Sequence, residues 1–275
     1  MAISPQEFQY VREIVSSRAG IVLNEKERFL AEARLTPLAK QSSAVSVSAF
    51  IQSLQSAEGN ELHDEVLDTL LPKETAFFRD NQPFELLRTH ILRTVEMLRS
   101  HECRLRIWSA GCSSGQEPFS IGMILGRYFP QLLSWDTEIY ATDLSQEALQ
   151  TAQQAKYNKI EINRGVPPGY VKEFFSVEES SFIIKENIRK VVCFEELNLA
   201  EEWPELEQLD IVLIRNVITY LKPEVRKNVL ANLKKILKPD GFLLLGSREL
   251  IEEDATGFKM VHGEKAVYYQ HAAPG

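Results

Sequence analysis

The chain has 275 residues, 44% of them hydrophobic, and its 31 Lys and Arg against 39 Asp and Glu leave a formal charge of −8. That length suits one or two domains of roughly 100–200 residues each, and the acidic balance argues against a general nucleic-acid binder, which would show a basic footprint. No apolar run reaches the ~18 residues of a membrane span, the start lacks the pattern of a secretory leader, and three scattered cysteines with five isolated histidines suggest neither a disulfide framework nor a metal site.

In chain order, residues 1–71 read as all-helical. Phe8, Val11, Ile14 and Val15 recur at helical spacing. A second helix is expected over 24–39 with Asn24 as its cap, followed by a Ser-rich loop and apolar positions at Phe50, Ile51, Leu54, Val66, Leu67 and Leu70. Pro72 and Pro83 flank a polar and aromatic linker, KETAFFRDNQ, assigned to residues 72–90. From 91 to 275 the pattern alternates helix and strand, with strands expected near 105–109, 137–142, 191–195, 210–214 and 241–246. KPDG reads as a turn. FKMVHGEKAVYYQ alternates with period two and reads as a closing antiparallel hairpin. Residues 170–190 break the alternation and read as a small β insert.

The stretch LRIWSAGCSSGQEP (105–118) carries the most chemistry. A buried strand, a loop bracketed by Gly111 and Gly115, and a helix opened by Glu117-Pro118 form the arrangement that cradles a nucleoside cofactor in an open α/β sheet. The spacing is not the dinucleotide fingerprint, and no Lys-Ser/Thr pair follows as in a P-loop. Glu117 occupies the place where a pyrophosphate would seek helix N–H groups without a neighbouring anion. A carboxylate there suits a cofactor that presents positive charge, as S-adenosylmethionine does. Asp143, at the end of the second strand, is placed to accept from ribose hydroxyls; it could equally cap the following helix, a role Ser145 could also fill. Cys112 reads as a packing residue.

Six segments in order, ETAFFRD (74–80), WSAGCSSGQEPFSIGM (108–123), ATDLS (141–145), FEELNL (194–199), IRNVITYL (214–221) and LKPDGFLLLGSRE (237–249), resemble the CheR-type chemoreceptor glutamate methyltransferases. The resemblance covers nearly the whole chain. It implies a Rossmann-like S-adenosylmethionine-dependent methyltransferase domain with a small antiparallel β insert, preceded by a small all-α domain. It implies that Glu117 and Asp143 hold the amino acid and ribose ends of the cofactor, with Gly111 in the loop beneath. Asn198 and Leu199 would border the adenine, and Arg215 and Asn216 would lie near the cofactor. Thr75 and Arg79 would fold over the site, and Arg79 and Tyr220 would face the substrate carboxylate. Without the resemblance, Arg79 could be an ion-pair residue and Tyr220 a buried aromatic. Lys73 and Pro72 stand where the family carries Asn and Thr, and Ile214 stands where it carries Cys.

The implied reaction gives glutamate methyl esters and S-adenosylhomocysteine, with no metal. The implied partner is the cytoplasmic helical bundle of methyl-accepting chemoreceptors, met in the cytoplasm without membrane insertion or nucleic acid. No glycine lies between Gly169 and Gly241, and Glu178 and Glu179 occupy the insert's turn, so recognition is expected to be independent of a receptor C-terminal pentapeptide. The alternatives are a methyltransferase for another protein or a small molecule, and a non-catalytic module that senses S-adenosylmethionine.

Overall fold

The computed structural model describes residues 3–56, 61–252, 256–264 and 266–272. Contacts divide the chain into two compact units. The first comprises Met1–Pro72 with two later segments, Asn198–Glu202 and Tyr220–Asn228; the second holds the rest.

Four helices build the first unit: α1 (Pro5–Ala19), α2 (Arg28–Gln41), α3 (Val47–Ser56) and α4 (Glu61–Leu70). The α1 start is a capping box. Ser4 Oγ accepts from the Glu7 N–H at 3.2 Å and the Glu7 carboxylate accepts from the Ser4 N–H at 2.6 Å. That N–H holds the Glu7 pKa below the usual carboxylate value. At the other end Gly20 takes φ 63°, the left-handed cap that glycine adopts without a Cβ penalty. Asn24 precedes a 3-10 turn, Glu25–Glu27, and α2 itself begins at Arg28, later than the pattern suggested. Phe8, Val11, Leu35, Phe50, Ile51 and Val66 are fully buried, with α1 and α2 both packed on α4. Arg34 donates to the carbonyls of Leu70 and Leu71 and so caps α4.

The second unit opens with α5 (Gln82–Leu86), a π turn at Leu87–Ile91 and α6 (Leu92–Leu98), so the helical stretch before the first strand is interrupted. Then come β1 (Arg104–Ala110), α7 (Gln116–Tyr128), β2 (Asp136–Asp143), α8 (Gln146–Gln154), β3 (Lys156–Asn158), α9 (Lys159–Gly165), α10 (Tyr170–Phe174), β4 (Phe175–Glu178), β5 (Ser181–Ile184) and α11 (Glu186–Arg189). β6 (Val192–Glu196), β7 (Leu209–Ile214), α12 (Pro223–Ile236), β8 (Leu237–Leu245), β9 (Phe258–His262) and β10 (Val267–His271) complete it, the first residues of α12 grouping with the other unit.

Seven strands form one sheet in the order β6-β2-β1-β7-β8-β10-β9. The strands β6, β2, β1, β7 and β8 are parallel, and β10 runs antiparallel to β8 and β9. β1, β7 and the end of β8 are buried along almost their whole length, the apolar reading of strands covered on both faces. KPDG is not a free turn. It is an irregularity inside β8, where pairing jumps from Leu209–Leu237 to Ile211–Phe242. β3, β5 and β4 form a separate antiparallel sheet, so the insert starts at Lys156, ahead of the 170–190 window. β3 is too short to show an alternating signal.

Strand order reverses between β1 and β7. The chain leaves β1 toward β2 on one side and returns at β7 on the other. Their carboxyl ends therefore open a crevice, the place where open α/β sheets bind ligands.

Candidate functional site

The loop after β1 turns on two left-handed glycines, Gly111 at φ 73° and Gly115 at φ 89°. A Cβ on Gly111 would lie 2.4 Å from Val217 Cγ2, and one on Gly115 would lie 3.0 Å from Ala152 Cβ. Only glycine satisfies both the backbone and the space. The Gly111 and Cys112 N–H groups both donate to the Thr142 carbonyl, at 2.7 and 2.9 Å, which fastens the loop to the end of β2. Asp143 comes next. Its Oδ2 accepts from the Ser113 N–H at 2.7 Å and its Oδ1 from the Ser145 N–H at 2.9 Å. The cap of α8 is Ser145, whose Oγ accepts from the Ala148 N–H at 3.1 Å, so Asp143 holds the glycine loop and is not the cap.

Glu117 lies in the first turn of α7. One oxygen accepts from Ser109 Oγ at 2.8 Å and the other from Arg215 Nη1 at 2.8 Å. The Arg215 side chain is only 2% exposed. Its Nη2 donates to the Arg79 carbonyl at 2.7 Å and to Asp80 Oδ2 at 3.1 Å, and its guanidinium lies over the Phe84 ring at 5.2 Å. Arg215 Nε is buried without a hydrogen-bond partner. Both carboxylates act on Cys112: burial raises its thiol pKa well above the ordinary value, and the charges of Asp143 and Glu117 add to the shift. The thiol stays protonated, as a packing residue should.

The linker reaches the same loop. Ser113 Oγ donates to the Lys73 carbonyl at 3.0 Å, a contact through backbone that is indifferent to the Lys side chain, which pairs with Glu147 at 2.6 Å. The Phe78 N–H donates to Ser120 Oγ at 3.0 Å. Phe78, Asp80 and Asn81 all adopt positive φ, at 50°, 66° and 41°. Such clustering of strained backbone marks segments held in place by their surroundings. Phe77 is buried, edge-on to Tyr157 at 4.8 Å. Arg79 is half-buried and donates through Nη1 to the Glu74 carbonyl at 2.7 Å, and Thr75 is half-buried.

The second unit thus gathers Gly111, Glu117, Asp143, Arg215, Asn216 and the linker at the crevice. Asn198, Leu199 and Tyr220 group with the first unit. Asn198 Nδ2 donates to the Arg18 carbonyl at 2.7 Å and to Glu201 at 2.9 Å, while its Oδ1 accepts from the Ala200 N–H. Leu199 is half-buried. The Tyr220 carbonyl accepts from the Val22 N–H at 2.8 Å. Sequence reasoning missed Ser109, Asp80, Ser120 and Glu249. Asp80, Ser120 and Glu249 are common residues whose partners lie far along the chain, and Ser109 meets Glu117 across the glycine loop, so no local spacing announces them.

Residues 73–267 match the family model described as CheR methyltransferase, SAM binding domain. The chain belongs to the CheR methyltransferase family. It is 32% identical over 274 residues to chemotaxis protein methyltransferase 1 of Pseudomonas aeruginosa, covering 98% of this chain and 99% of that protein. It is 32% identical over 275 residues to chemotaxis protein methyltransferase Cher2 of Pseudomonas putida, with the same coverage. A chemotaxis protein methyltransferase of Borreliella burgdorferi is 33% identical over 253 residues, 90% of this chain and 89% of that one. Among the described residues no cluster of three or more His, Cys, Asp or Glu could hold a metal, and no helix is long and apolar enough to cross a membrane.

Proposed function

We propose that this CheR-family chain methylates glutamate carboxylates on the cytoplasmic helical bundle of chemoreceptors, using S-adenosylmethionine and giving methyl esters and S-adenosylhomocysteine. The observation that carries the reading is the near full-length match to relatives named as chemotaxis protein methyltransferases, joined to a crevice whose charges suit a cationic cofactor.

The residues present fit that cofactor. The glycine loop has no room for side chains at Gly111 and Gly115. Two carboxylates flank it, close enough that both bear on the Cys112 thiol. The buried Nε of Arg215 has an unused donor. S-adenosylmethionine, when bound, supplies an electrophilic methyl group on a sulfonium. Glu117, held by Ser109 and Arg215, is assigned to its ammonium end, and Asp143 to its ribose, since each carboxylate oxygen can accept more than one hydrogen bond. Gly111 gives the close approach of backbone. Asn216 is assigned to the same crevice, and Asn198 and Leu199 to the adenine.

A glutamate nucleophile with a pKa of ~4.3 is ionised at neutral pH, so the chain need not supply a general base. Its task is alignment, which can lower a barrier by roughly 7–11 kcal/mol. Arg79 is assigned to orient the substrate carboxylate, because a guanidinium binds carboxylates through paired N–H groups; its Nη1 contact with Glu74 fixes the side chain's course. Tyr220 is assigned to the same carboxylate, and Thr75 to the linker that covers the site. Docking is assigned to the helical unit, where Phe29 and Leu30 are 67% and 48% exposed beside Lys26 and Arg28. The setting is the cytoplasm.

The test is incubation with methyl-labelled S-adenosylmethionine and receptor cytoplasmic fragments. Base-labile label on receptor glutamates is the expected result. Label on another protein or small molecule, or cofactor binding with no transfer, would replace this reading with one of those activities.

A further inference from the structure

We propose that Glu249 is a positioning residue for methyl transfer, acting by holding the loop that follows β7. The proposal rests on the function inferred above and extends it to a residue outside the substrate and cofactor contacts.

Where β7 and β8 end side by side, at Ile214 and Leu245, backbone N–H groups lose their ladder partners. Buried N–H groups need replacement acceptors. Three of them converge on one carboxylate. Glu249 Oε2 accepts from the Asn216 N–H at 2.6 Å and the Gly246 N–H at 2.8 Å, and Oε1 accepts from the Thr219 N–H at 3.1 Å. Glu249 is 4% exposed. A turn in which the Glu249 N–H donates to the Gly246 carbonyl at 2.9 Å folds the side chain back onto the strand ends. The packing is tight: a Cβ on Gly246 would lie 2.7 Å from Glu249 Oε2 and 2.9 Å from the Asn216 nitrogen. Converging N–H dipoles form an anion-binding concavity, and here a side chain of the same chain fills it.

The loop so held is not a passive one. It starts at Arg215, which fixes Glu117 and the linker. Asn216 takes φ 60°, a left-handed conformation that asparagine tolerates but that needs outside support to persist. Val217 packs over Gly111, and Thr219 is bonded directly to Tyr220. One carboxylate therefore sets the backbone that follows Arg215, from Asn216 to Thr219. A glutamine at 249 can offer its single oxygen to only part of this set, and its NH2 group must face an N–H donor.

The test uses the full chain with Glu249→Gln, Glu249→Ala and, as a control in the first half of β8 away from the strand ends at Ile214 and Leu245, Asp240→Asn. Transfer to a receptor fragment and S-adenosylhomocysteine binding are measured well below each melting temperature. Glu249→Gln is expected to lower kcat about tenfold and raise the S-adenosylhomocysteine Kd about threefold, as loss of a charge-assisted hydrogen bond allows. Glu249→Ala should exceed both effects, and Asp240→Asn should change neither. Wild-type kcat and Kd in both Glu249 variants, or an equal loss in Asp240→Asn, would overturn the proposal and leave Glu249 a purely structural residue. If the wild-type chain methylates no receptor fragment, the functional reading fails and the Kd comparison alone decides on Glu249: a raised Kd only in its variants supports it, an unchanged Kd overturns it.

Discussion

Asp143 has two duties that pull in the same direction. It orders the glycine loop through Ser113 and Ser145, and its remaining acceptor capacity is assigned to the ribose. Asp143→Ala should therefore weaken S-adenosylmethionine and S-adenosylhomocysteine alike, by about 1.5–3 kcal/mol. Calorimetric titration with equal, unchanged affinities would remove Asp143 from the site. Arg79 should behave differently, since its side chain leans on Glu74 and its carbonyl, not its guanidinium, meets Arg215. Arg79→Ala should spare cofactor affinity while cutting transfer at least tenfold, as loss of an orienting bidentate contact would. A variant that loses cofactor binding in parallel with transfer would make the linker arginine a cofactor ligand instead.

The linker and the C-terminal end of α9 approach closely. A Cβ on Gly165 would sit 2.0 Å from the Phe77 carbonyl oxygen, a backbone atom that cannot swing aside. On Gly126, in α7, it would meet only side-chain atoms of Phe174 and Ile188, at 2.9 and 3.0 Å. Gly165→Ala is expected to destabilise by ~1–3 kcal/mol and to depress transfer by displacing Phe77 through Arg79, whereas Gly126→Ala should leave transfer near wild type. Thermal melts with paired rate measurements distinguish the two. Far from the crevice, Asp210 is fully buried between Arg99, Lys238 and the Arg106 N–H, and Arg99 also pairs with Asp240. Hydrogen bonding to Arg99 lowers the Asp240 pKa. A depressed carboxylate contributes stability above its unfolded pKa of ~3.9 and loses it as pH falls through the folded value. Asp240→Asn should thus cost stability at pH 7, with the gap to wild type closing as pH drops below about 4; a gap constant across that range would show that the ionised carboxylate is not what stabilises.

For the molecule as a whole, the proposed chemistry sets a pH profile. A carboxylate nucleophile is ready above pH ~5, so single-turnover rates should be flat between about pH 6 and 8. A steep rise there would expose a general base. Receptor capture is expected without a C-terminal tether. Glu178 ends β4, paired with Ser181, and is not in the turn as the sequence suggested; Glu179 opens the turn to β5 at φ 53°, where a peptide-binding loop would use glycine for close backbone approach. Micromolar binding of a free receptor C-terminal pentapeptide would overturn that expectation.

Much of this architecture could be read along the chain because it is encoded locally. Apolar runs marked β1 and β7, glycine and Glu117-Pro118 marked the loop and the start of α7, and period-two alternation marked the final hairpin. Glu117 and Asp143 could be singled out because each sits at a fixed offset from a strand end. The short β3 and the π turn in the helix before β1 escaped, since three residues carry no period and a π turn has no composition of its own. KPDG has the residues of a turn, yet pairing on both sides draws it into β8. The reach of Arg215 to Glu117 and Asp80, the closure of three N–H groups on Glu249, and the grouping of Asn198 and Tyr220 with the N-terminal helices join residues remote in sequence. Such partnerships depend on which strand ends and loops folding brings within ~3 Å of one another, a distance that no spacing along the chain records.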